Sequence, residues 1–66
     1  MEISNELVSQ MDPFMLLSVI NMKLRDFYSN LNALCEDNDV DKSLLISRFE
    51  SINYEYSENL NQIVAK

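Results

Sequence analysis

Sixty-six residues with a formal charge of −6, 47% apolar side chains, no His, no Gly and one Cys describe a single domain, 1–66, too apolar for a disordered tail and too short to divide. The same figures argue against an internal disulfide, which needs two thiols, against a His-based zinc framework, and against nucleic acid or an anionic membrane as partner, since both attract a surplus of Lys and Arg. A chain this small buries only about 60% of the surface its unfolded form exposes, so a protein partner or a second copy is the expected source of extra stability.

Residues 2 to 11 carry Ile3, Leu7, Val8 and Met11 at near four-residue intervals, which predicts a short N-terminal helix with one apolar stripe. The acids at its start and the shortness of the longest apolar run, Phe14 to Leu17, argue against an export leader or a membrane span, and with the lone thiol they point to the cytoplasm. Asp12-Pro13 marks a new helix, because Asp is a favoured N-cap and Pro is favoured at the first helical position. That helix is expected to reach about Tyr28. At 100° per residue, Leu16, Leu17, Ile20, Leu24, Phe27 and Tyr28 share one broad face, whereas Met15, Val19 and Met22 fall on the far side.

This second face admits two readings. Either the Ile3/Leu7/Met11 stripe folds back over it, or it binds another chain, for which flexible thioethers are suited. Met15, Val19 and Met22 are accordingly the candidate interaction residues.

Ser29 is the expected N-cap of a helix from Asn30 to about Asn38, with Leu31, Leu34 and Cys35 inward. Asn38-Asp39 then breaks it with a left-handed residue that a Gly-free chain must take from Asn or Asp. Asp41 caps the next helix, through about Ser51, with Leu45, Phe49 and Ile52 inside and Leu44 and Ile46 flanking. Asn53 stands where a Gly C-cap is usual, and the alternation of Tyr54-Glu55-Tyr56 with Gln62-Ile63-Val64 across a turn-rich segment predicts a short C-terminal hairpin.

Four motifs fail when tested. Cys35, without a basic neighbour in sequence, reads as a small core residue and not as a nucleophile. Asp37-Asn38-Asp39-Val40-Asp41 opens like a calcium loop, but its sixth position is Lys42 where Gly is needed and its twelfth is Arg48 where a bidentate Glu is needed. Residues 31–52 have a helix-turn-helix outline, yet the second helix offers only Lys42 and Arg48 beside the Glu36/Asp37/Asp39/Asp41 cluster, which repels phosphate. Catalysis lacks both a general base and a water-excluding pocket, so no catalytic, cofactor-binding or metal-binding residues are assigned.

The run from Met11 to Asp26, MDPFMLLSVINMKLRD, followed by Leu31-Asn32-Ala33-Leu34-Cys35 and Ile52-Asn53-Tyr54-Glu55-Tyr56, resembles a family of short bacterial proteins known as domain of unknown function 4250. The resemblance spans about Met11 to Ile63, leaves 1–10 as an extra segment before a core of 11–64, and departs from the family pattern at Asn53, where the family favours Gly. It implies no activity, cofactor or site residue. Of the polar positions inside it, Asn21 and Asp26 are expected to bond nearby backbone at the helix junctions, and Lys23 and Arg25 to be solvated.

The expectation is therefore a mainly α domain of three to four helices, with a helix-turn-helix-like pair and a short C-terminal β-hairpin. Its expected function is protein interaction or homodimerisation without catalysis. The alternative is a helix-turn-helix or winged-helix-like regulator that associates with nucleic acid.

Overall fold

Each helix begins where a polar side chain turns back on its own first amides. The structure, a computed structural model, describes residues 3–66, and residue 2 of the expected first helix lies outside them. Ser4 caps α1 (Asn5–Gln10) by accepting from the Leu7 N–H, and Asp12 caps α2 (Pro13–Asp26) by accepting from Phe14 and Met15. Asn30 caps α3 (Leu31–Asn38) through Ala33, and Asp41 caps α4 (Lys42–Glu50) through Ser43. Each such cap is worth about 1 kcal/mol. The cap of α3 is Asn30 and not Ser29: of two adjacent cap formers, the second has its side-chain oxygen 2.8 Å from the Ala33 nitrogen.

The helices stop by equally local means. Asp39 adopts φ 56° and donates to the last carbonyls of α3, while Val40 donates to the Cys35 carbonyl and is itself buried. This is the Schellman arrangement, with its usual apolar contact supplied by Val40. Asn53, at φ 64°, does the corresponding work after α4, and Asn61, at φ 52°, does it in the hairpin. All three left-handed positions therefore fall on Asn or Asp, each a tolerable but imperfect substitute for Gly.

The expected hairpin is present, pairing β1 (Tyr54–Ser57) with β2 (Gln62–Ala65) antiparallel and setting Tyr56 opposite Ile63. α2 runs through the middle, touching α3, α4 and β2, while β1 lies on α4. Leu16, Ile20, Leu24, Leu34, Leu45 and Phe49 form the centre of one continuous core. Burial of each such side chain contributes about 1.5–3 kcal/mol. The accessible surface, 4106 Å², is close to the roughly 4,300 Å² that the size scaling of compact monomers gives for 7.7 kDa. Closure of the core therefore does not require a second chain.

Two expectations about α2 are corrected. Phe27, placed on the core face by helical spacing, is 69% exposed. α2 ends at Asp26, short of Tyr28, and Phe27 is its C-cap at φ −127°, so its side chain leaves the 100° register. Lys23, expected in solvent, is only 9% exposed. It lines a shallow recess with Phe27, Tyr28 and Asp37, and a long aliphatic stem lets a lysine be covered this far.

Candidate functional site

The outer side of α2 carries the candidate residues, and the structure treats the three differently. Met15 is 61% exposed, Met22 is half-buried, and Val19 is half-buried against the core. A charge at Val19 would therefore test the fold as much as any interface. Phe14, absent from the candidate set, joins Met15 at 55% exposure, its ring edge-to-face with Tyr54 at a centroid distance of 6.3 Å. A helical wheel shows Phe14 beside Met15 but cannot show that the hairpin leaves its ring uncovered.

The fold-back of α1 over this face is not what the chain does. α1 lies mainly on α4, with Ile3 and Val8 buried and Leu7 and Met11 half-buried. Arg48 of α4 fixes it, its Nε donating to the Val8 carbonyl at 3.1 Å and its terminal nitrogen to the Met11 carbonyl at 2.7 Å. The Asp41 N–H also reaches Asn5 Oδ1 at 2.7 Å. Guanidinium bonds satisfy the end of a six-residue helix that could not hold itself in water.

A second group of residues positions α2 against the hairpin. Asn21 accepts from the Ile63 N–H at 2.7 Å and donates to the Ile63 carbonyl at 3.1 Å, so its amide behaves like the peptide of a third strand and closes the free edge of β2. Asn61 donates to the Leu24 and Tyr28 carbonyls at 3.1 and 2.9 Å and accepts from the Tyr56 hydroxyl at 2.7 Å. The Tyr56 oxygen in turn receives the Leu31 N–H at 3.3 Å. Asn21 was expected to bond nearby backbone; its partner lies 42 residues away. Asp26 instead pairs with exposed Arg25, two guanidinium nitrogens lying 2.9 and 3.1 Å from the carboxylate oxygens.

The family described as domain of unknown function (DUF4250) matches residues 10–63. The chain belongs to the DUF4250 family. No match is found among the curated proteins or among the solved structures. The family segment begins at the last residue of α1 and ends inside β2, so it holds Phe14, Met15, Met22 and the whole Asn21–Asn61–Tyr56 network. The docked residues Ile3 and Val8 lie before it.

Within this DUF4250 segment the acidic turn is dispersed. Asp37 accepts from the Tyr28 hydroxyl, Asp39 occupies the left-handed cap, and Asp41 caps α4. Among the described residues no three metal-ligating side chains converge. Millimolar calcium is expected to move the thermal midpoint by less than about 1 °C, since a site of even tens of micromolar affinity would add about 2–3 kcal/mol under that excess. Scanning calorimetry with and without calcium checks this.

The Tyr28–Asp37 bond holds the phenol above its ordinary value of 10.0, with burial adding to the shift and Asn38, donating to the same oxygen, opposing it. An acid whose folded pKa is raised stabilises the fold below the unfolded value and loses that contribution as pH rises through the folded one. Ultraviolet titration should show Tyr28 ionising late, and Asp37→Asn should bring it back toward the ordinary value. An unchanged titration in Asp37→Asn would contradict the assignment. Cys35 is buried, and burial pushes its thiol up despite the pull of Lys42, the opposite of the shift that activates a thiol.

Proposed function

We propose that the domain is a non-catalytic interaction module of the cytoplasm that presents the outer face of α2 to another polypeptide. The observation that carries the reading is the pair Phe14 and Met15, both more than half exposed on one helix of a molecule whose core closes without them. Exposed large apolar side chains side by side, with the half-buried Met22 two turns further on, form the kind of patch that contacts use. No helix among the described residues is long and apolar enough to cross a membrane.

The nucleic-acid alternative has less support. Of the two bases on α4, Arg48 is spent on the carbonyls of Val8 and Met11, which leaves Lys42 to face phosphate alone.

The test is a photo-crosslinking amino acid placed at Met15, with a second at exposed Glu58 as control, expressed in the native cell. Crosslinks to polypeptide at Met15 and not at Glu58 are expected. Equal yields at the two positions, or none at Met15, would overturn the reading.

A further inference from the structure

The charge of the chain is unevenly placed. α2 and its cap hold two acids, Asp12 and Asp26, and two bases, Lys23 and Arg25, so the whole of the −6 resides elsewhere. Two copies of this molecule carry like charge over most of their surface, and on the outer face of α2 the exposed charges, Arg25 and Asp26, pair with each other, so repulsion there is least.

The same face is self-complementary in outline. Phe14 and Arg25 are eleven residues apart, three turns and about 20°, so they lie on one side of the strip formed with Ser18 and Met22. The midpoint of Phe14 and Arg25 and the midpoint of Ser18 and Met22 nearly coincide, at residues 19 to 20. A two-fold axis there brings each member of a pair to the other member in the second copy. The bidentate bond to Asp26 holds the edge of the Arg25 guanidinium, and that leaves its flat side free to stack.

We infer that the outer face of α2 pairs with the same face of a second copy, the two helices antiparallel, Arg25 stacked on the partner's Phe14 and Met22 seated over the partner's Ser18. This rests on the interaction reading above and names its partner. A 14-residue helix is about 21 Å long. The seam is therefore smaller than the roughly 800 Å² per partner of a stable complex, and the association is weak and reversible.

Sedimentation equilibrium of the full chain from about 5 µM to 1 mM tests it. The wild type is expected to pass from monomer to dimer over that range. Ser18→Arg, at an exposed position whose side chain bonds only the Phe14 carbonyl of its own helix, is expected to weaken the dimer at least tenfold while circular dichroism stays unchanged. Phe14→Lys and Arg25→Glu should each be monomeric alone, because the first sets an ammonium against the partner's Arg25 and the second removes the cation from the partner's Phe14. Mixed in equal amounts they should form a heterodimer. The carboxylate introduced in one copy would then meet the ammonium introduced in the other, and the second Arg–Phe contact is intact.

A wild type that remains monomeric at 1 mM, a dimer that survives Ser18→Arg, or a failure of the mixture to associate would overturn the inference. The interaction reading has its own outcome. A chain that is monomeric at 1 mM and still crosslinks from Met15 to a different protein rejects the second copy and keeps the module, whereas silence in both experiments rejects both.

Discussion

Asn61→Ala is expected to destabilise the domain by about 3–4 kcal/mol, a large share of the roughly 3–10 kcal/mol that a chain of 66 residues commands. Two separable losses combine. The left-handed backbone at φ 52° costs Ala about 1 kcal/mol more than Asn. The missing amide leaves the Leu24 and Tyr28 carbonyls and the Tyr56 hydroxyl without their partner, at about 1 kcal/mol or less for each part-buried group. Asn61→Gly separates the two, since Gly accepts the backbone but lacks the amide, and it should recover about 1 kcal/mol of the loss. Urea unfolding of the three proteins checks this. Equal midpoints for Ala and Gly would show that backbone strain has no part in the effect.

The second large effect is local. Arg48→Met keeps an apolar stem of similar length but removes both bonds to α1, and a loss of about 2–3 kcal/mol is expected. Because α1 lies mainly on α4, the damage should concentrate there. Hydrogen exchange should quicken most at the Val8 and Met11 amides, which donate to the Ser4 and Leu7 carbonyls, and much less at the amides of α2. Uniform acceleration across the domain would mean that α1 does not open separately.

What could be read from the residues was what local chemistry decides. Asp12-Pro13, Asp41 and the left-handed Asp39 and Asn53 act within a turn of their own position, and the helices and hairpin fall where they predict. Period also served: Leu16, Ile20 and Leu24 are inside as spaced. The bonds of Asn21 to Ile63, Asn61 to Leu24, and Arg48 to Val8 span 37 to 42 residues, and a polar side chain seeking distant backbone leaves no periodic trace. Lys23 and Phe27 exchanged their expected environments because hydropathy ranks the tip of a side chain, while burial depends on its stem and on where the helix stops. At the candidate site, spacing placed Met15, Val19 and Met22 together on the side of α2 away from Leu16, Ile20 and Leu24. Which sides of α2 the hairpin and the core take, and hence that Val19 is half-buried and Phe14 exposed, could not be read from spacing.

The absence of glycine has a consequence for the denatured chain. Glycine widens the set of conformations that an unfolded polypeptide samples, and a sequence that places Asn or Asp at all three of its left-handed positions unfolds into a narrower ensemble. Strain accepted in the native state at Asp39, Asn53 and Asn61 is thus offset by disorder never gained on unfolding. Replacing Asn53 with glycine would relieve the first and restore the second, leaving the equilibrium nearly where it was.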